Sequence, residues 1–173
     1  MSVDQAGRAA PGEDLLSLYD AALPQVYGYL LRRCGRAALA EDLTAETFLA
    51  AVDAVRSDRP PALTTAWLIG VARHKLVDHW RREAREDRGL RAVGELTDAT
   101  DDPWDVTIDA LAAQDALEQL GPHHRSALTL RYLDDLPVPE VAAALHRTVH
   151  ATEALLVRAR AAFRRLYDGQ VTS

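Results

Sequence analysis

A single cysteine, Cys34, stands in a chain of 173 residues. That scarcity excludes an internal disulfide and any zinc site built on a cysteine cluster. Long apolar runs are missing as well. Stretches such as 68–72 and 141–145 stop far short of the roughly 18 residues that a membrane-spanning helix needs. The first dozen residues lack the apolar centre of a secretory signal. Aromatic residues are few, at 6%, and alternating Val, Ile, Thr and Tyr runs of the strand type are absent. No Ser/His/Asp grouping, phosphate-cradling glycine loop or set of ligands at metal spacing occurs. The six histidines include adjacent His123 and His124, and His146 and His150 flank a turn, so neither pair makes a metal site. The expectation is a cytoplasmic protein without membrane insertion, metal, cofactor or catalytic residues.

What is present is helix-forming. Alanine, leucine, arginine and glutamate dominate, which predicts an all-α chain. The net charge is −6, and such a balance ordinarily argues against a nucleic-acid partner. The distribution reverses that argument. Residues 1–72 carry a net −3, residues 73–91 a net +3, residues 92–116 a net −7 with no basic residue at all, and residues 117–173 a net +1. One short stretch therefore accounts for the acidity.

Periodicity divides the chain further. Residues 1–12 read as a disordered tail. A helical pattern starts near Glu13 and is interrupted at Pro24, as a kink or as the first turn of a new helix. It resumes through Val26, Tyr27, Leu30 and Leu31, and Gly35 ends it. The next helix is expected over about 40–55, with Leu43, Thr47, Phe48, Ala51, Val52 and Val55 inward. A long one follows over about 62–86, with Trp67, Leu68, Val71, Ala72, Leu76 and Trp80 inward. The pattern then fades into an acidic segment containing Gly94 and Pro103, which reads as a flexible linker. Beyond it, helices are expected over about 106–119, 122–133, 138–145 and 149–167, with Pro122 at a helix start. The fold class is thus all-α: two small helical domains joined by a flexible acidic linker.

Two segments carry candidate chemistry. In residues 136–160 a short helix, a four-residue corner at 146–149 and a longer helix form a helix-turn-helix pattern. A helix fits the major groove, and its first residues meet base edges. Here those are Arg147, Thr148, His150, Thr152 and Glu153, while Arg158 and Arg160 lie further along and suit phosphates. A plain helical hairpin with a solvated charged face gives the same pattern. The second segment is the long helix. Trp67, Arg73, His74, Lys75, His79, Trp80, Arg81, Arg82 and Arg85 combine bases with aromatic rings, a mixture that can hold phosphates and stack on unpaired bases. Taken by itself, the segment is explained somewhat better by a packed Trp67 and a solvated helix end.

The order of these features resembles a known family. Ala40-Glu41-Asp42-Leu43-Thr44-Ala45-Glu46-Thr47-Phe48-Leu49-Ala50-Ala51 is similar to the region 2 core of bacterial extracytoplasmic-function (ECF) sigma factors. Ala66-Trp67-Leu68-Ile69-Gly70-Val71-Ala72-Arg73, followed by Asp78-His79-Trp80-Arg81-Arg82, resembles the next part of that region. Ala116-Leu117-Glu118-Gln119-Leu120, with Arg125, Leu128, Leu130 and Arg131, is similar to the start of region 4. The hairpin through Arg158-Ala159-Arg160 resembles the region 4 helix-turn-helix.

The resemblance implies a region 2 domain over 13–91, a linker over 92–109 and a region 4 domain over 110–170. It implies binding to core RNA polymerase, with Asp42 and Glu46 docking on the polymerase; spaced by four, they share one helix face. Trp67, Arg73, His74, Lys75, Arg81 and Arg82 would face the −10 element and help open it. Arg147, Thr148, His150, Thr152, Glu153, Arg158 and Arg160 would face the −35 element. The acidic linker would mimic a phosphate backbone in a polymerase channel, or simply be a solvated tether. An anti-sigma factor is an implied partner. The sequence also departs from the family pattern. His74 stands where Asn is common, His146 where the turn often has Gly, and Ala151-Thr152-Glu153 where the recognition helix usually starts with a Thr-Val-Lys type of sequence. Glu153 brings a negative charge toward DNA. The alternative reading is a stand-alone helix-turn-helix regulator that does not dock on polymerase.

Overall fold

The computed structural model describes residues 11–90 and 110–171. The tail expected over 1–12 lies outside these residues except for its last two positions, and so does the acidic linker expected over 92–109. All regular structure among the described residues is helical: α1 (Pro11–Cys34), α2 (Ala37–Val55), α3 (Thr65–Leu90), α4 (Ala110–Gln119), α5 (Pro122–Leu128), a π-helical turn (Thr129–Leu133), α6 (Val138–Ala144) and α7 (Val149–Val171). None of these helices is long and apolar enough to cross a membrane. The boundary between the two compact units falls inside α3, between Leu76 and Val77.

In the first unit α1 packs against α2. Ala22, Val26, Tyr29, Leu30 and Cys34 of α1 are buried, as are Ala40, Leu43, Phe48 and Ala51 of α2 and Leu68, Ala72 and Leu76 of α3. The edge of the Tyr19 ring meets Phe48, with centroids 4.7 Å apart. Of the two expectations for Pro24, the first turn of a new helix does not hold; Pro24 lies inside a continuous α1. Pro24 and Asp20 are both exposed, so water can satisfy the carbonyl that loses its amide partner. The helix stops where the sequence indicates. Gly35 has φ 68°, and its N–H donates to the Leu31 carbonyl at 2.9 Å. This is a left-handed helix end that glycine adopts without steric cost.

In the second unit α4, α5 and α6 pack on α7. Their common core holds Ala116, Leu120, Ala127, Leu128, Leu130, Val141, Leu145, Leu155, Leu156, Ala159, Ala162 and Phe163. Arg125 ties α4 to α5. Its Nε donates to the Leu117 carbonyl at 3.0 Å and its Nη2 to the Leu120 carbonyl at 2.9 Å and to the Glu118 carbonyl. A guanidinium at a helix C-terminus fills orphan carbonyls and meets the negative end of the helix dipole. The helix expected over 122–133 changes pitch midway. The Asp134 N–H reaches the Thr129 carbonyl five residues back, at 3.0 Å, and Asp135 follows with φ 52°.

Candidate functional site

The first group of candidate residues lies on α2. Its buried stripe is Ala40, Leu43, Thr44, Thr47, Phe48 and Ala51. The two threonines donate their hydroxyls to the Ala40 and Leu43 carbonyls, at 2.6 and 2.7 Å, so their polar groups are satisfied within the helix. The outer face presents Asp42, Glu46 and Asp53 around Leu49, whose surface is 65% exposed. Sequence reasoning passed over Leu49. Its signal was positional: it falls off the apolar stripe, three residues after Glu46 and seven after Asp42.

The second group lies on α3, which Thr64 caps. The Thr64 Oγ1 accepts from the Trp67 N–H at 3.1 Å, and its carbonyl accepts from the Leu68 N–H at 3.0 Å. Leu68, Ala72, Leu76, Trp80 and Ala84 make the buried face. Trp80 is 1% exposed, so its ring offers no stacking surface, which corrects its inclusion among the rings that could meet bases. Trp67 is half-buried. His74 and Arg82 are exposed, and Arg73, Lys75 and Arg81 are partly so. Two of these cations have acidic neighbours. Arg81 pairs with Asp78 one turn earlier. Lys75 Nζ lies 3.5 Å from Glu46 Oε2. Lys75 and Glu46, assigned by sequence to two different surfaces, are thereby brought together in one ion pair.

The third group is the hairpin of α6 and α7. The Arg147 N–H donates to the Ala142 carbonyl at 2.9 Å and the His146 N–H to the Ala143 carbonyl at 3.2 Å. His146 has φ 53°. These two bonds around a left-handed residue form a Schellman end. His146 therefore holds the place where glycine would be unstrained, and the turn keeps its shape without glycine. Thr148 then caps α7. Its Oγ1 accepts from the Ala151 N–H at 3.2 Å, and its carbonyl accepts both the Thr152 N–H at 3.0 Å and the Thr152 hydroxyl at 2.9 Å.

Thr152 is fully buried. This corrects its place among the DNA-facing residues: three residues into α7 it turns toward the core, beside Leu155 and Leu156. His150, Glu153 and Ala154 are exposed, and His150 Nδ1 is 4.0 Å from Glu153 Oε2. The arginines of α7 fall on two sides. Arg158 and Arg165 lie near enough to His124 of α5 to repel its proton. Burial holds that imidazole below its usual 6.5, and the two arginines add to the effect. Arg160 turns the other way, where its Nη1 donates to the Tyr132 hydroxyl at 3.2 Å. Among the described residues no group of three or more His, Cys, Asp or Glu side chains could hold a metal ion.

Two family models match the chain in succession. Residues 18–86 match the Sigma-70 region 2 model and residues 110–163 the Sigma-70 region 4 model. The chain is 34% identical over 134 residues to the ECF RNA polymerase sigma factor SigL of Mycobacterium tuberculosis, covering 73% of this chain and 74% of SigL. The chain belongs to the ECF sigma factors.

This sigma factor is also 32% identical over 166 residues to the ECF RNA polymerase sigma factor BldN of Streptomyces coelicolor. That match covers 92% of the chain and spans 62% of the length of BldN. Its fold resembles that of the sigma factor RpoE of Bartonella quintana, solved with the anti-sigma factor NepR. The TM-score is 0.54 at 20% identity, over 90% of this chain and 98% of that one.

Proposed function

We propose that this sigma factor binds core RNA polymerase and directs it to promoters, reading the −10 element with a region 2 domain (13–91) and the −35 element with a region 4 domain (110–170). The observation that carries the reading is the pairing, on one chain, of an exposed acidic face on α2 with a capped helix-turn-helix on α6 and α7. Asp42 and Glu46 are the docking carboxylates. They stand on a helix face free of core duties and suit basic groups on the polymerase. Arg73, Lys75, Arg81 and Arg82 hold phosphates of the opened strand, with His74 beside them. The half-buried Trp67 mainly packs.

Opening a promoter needs no covalent step from this chain. Extruding a base costs a few kcal/mol, which a fitted pocket and contacts to the captured strand offset. In region 4, Arg147, Thr148, His150 and Glu153 face bases at the start of α7, and Arg158 and Arg160 face phosphates. The linker over 92–109 tethers the two domains. An anti-sigma factor is the regulatory partner, a reading supported by the shared fold with the Bartonella quintana RpoE solved with one. The protein works in the cytoplasm, with the polymerase.

In vitro transcription with core polymerase on a randomised promoter library tests this reading. The expected result is enrichment of one −35 and one −10 sequence at a fixed spacing. Transcription no higher than with core polymerase alone would overturn it.

A further inference from the structure

We infer that Tyr132 is a positioning residue for −35 recognition, holding the Arg160 guanidinium at the edge of α7 where it meets a DNA phosphate. The inference rests on the proposed DNA-facing role of α7 and adds a residue outside the helix-turn-helix to it. Three observations carry it. Tyr132 is a tyrosine at the surface, 42% exposed, so its place is not explained by core packing. Its hydroxyl accepts a hydrogen bond from Arg160 Nη1 at 3.2 Å across 28 residues of sequence. Its ring is in turn set by a fixed neighbour. The Arg131 guanidinium carbon lies 5.6 Å from the ring centroid. Arg131 Nη1 itself donates to the Leu136 carbonyl at 3.3 Å and lies 3.7 Å from Asp135 Oδ1.

The chain of contacts runs from the turn at Asp135 through Arg131 and Tyr132 to Arg160. The π-helical pitch over Thr129–Leu133 contributes to it, because it sets how this segment leads into the turn at Asp135. An arginine carries several rotatable bonds, and freezing them on binding costs affinity. A hydroxyl that holds the guanidinium beforehand removes part of that cost. A tyrosine hydroxyl accepts one N–H of a guanidinium that carries five, and a guanidinium held in this way is oriented before a phosphate arrives.

The test is a double-mutant cycle on the full chain bound to core polymerase, with the promoter selected above. Binding is measured as a function of salt, with thermal unfolding of each variant alongside. Arg160→Ala is expected to weaken binding and lower the salt slope by about 0.9, the value of one lost phosphate contact. Tyr132→Phe keeps the ring and is expected to weaken promoter binding about 2- to 10-fold, the worth of one hydrogen bond. In the Arg160→Ala background, Tyr132→Phe is expected to have no effect on binding. An equal loss in both backgrounds would overturn the inference, because a merely structural role is additive. So would unchanged binding by Tyr132→Phe alone while Arg160→Ala weakens it, and the DNA-facing reading of α7 would then stand. Unchanged binding and salt slope in Arg160→Ala would overturn both the phosphate role of Arg160 and the inference built on it.

Discussion

Thr148 and Thr152 are four residues apart at the start of α7, yet they face different environments. Thr148 is exposed and caps the helix through its Oγ1. Thr148→Ala is expected to lower stability by about 1 kcal/mol, read as a fall of about 4–8 °C in the melting temperature of the second unit. Thr148→Ser is expected to restore it. Thr152 spends its hydroxyl on the Thr148 carbonyl inside the core. Thr152→Val is therefore expected to leave promoter preference unchanged when promoters are selected from a random library. A shift in the selected −35 sequence would return Thr152 to the DNA surface. His146 gives a stability prediction of the opposite sign. An L-residue with φ 53° carries a backbone cost that glycine avoids. His146→Gly is expected to raise stability by about 1 kcal/mol in denaturant unfolding.

At the scale of elements, the second unit depends on how α4 and α5 are fastened and on how α5 meets α7. Arg125 satisfies three carbonyls at the end of α4. Arg125→Met keeps most of the aliphatic stem and removes all three bonds. The expected cost is about 2–3 kcal/mol, seen as a lower midpoint in chemical denaturation. The contact between α5 and α7 adds a pH dependence. The folded state holds His124 below its ordinary 6.5, through burial first and then Arg158 and Arg165. The unfolded chain takes up that proton near 6.5, before the folded chain does. Stability from this site is full above 6.5 and is lost as pH falls through that value toward the lower folded one. The melting temperature of the second unit is expected to drop between pH 7 and pH 5.5. His124→Gln is expected to flatten part of that drop.

For the whole molecule, the charge distribution sets the behaviour. Acidic groups on α2 and the −7 stretch over 92–116 oppose the basic residues of α3 and α7. The free protein is expected to bind promoter DNA weakly, and core polymerase is expected to restore binding. Tight, salt-resistant promoter binding by the free chain in an anisotropy titration would contradict this. Reversing charge at Asp42 and Glu46 together is expected to reduce core polymerase affinity about tenfold or more. Glu46 also neighbours Lys75, so the milder Glu46→Gln separates loss of the ion pair from charge repulsion. An exposed pair of this kind contributes about 0.2–1 kcal/mol, so Glu46→Gln is expected to leave folding stability nearly unchanged.

The sequence by itself determined the helical class, the end of α1 at Gly35, the acidic face of α2 and the corner of the helix-turn-helix. These features are local: periodicity, a glycine, a cap and a turn all act within a few residues. Pro24 shows where that local reading stops, since whether a proline breaks a helix depends on whether water can reach the freed carbonyl. The tertiary structure decided which side chains on a mixed helix stay available. It buried Thr152, joined Lys75 to Glu46, and turned Arg158 and Arg160 toward different neighbours. Such outcomes depend on what packs across from a residue, and the partner across the fold is distant along the chain. Tyr132 is the clearest case, because its hydrogen-bond partner lies 28 residues away.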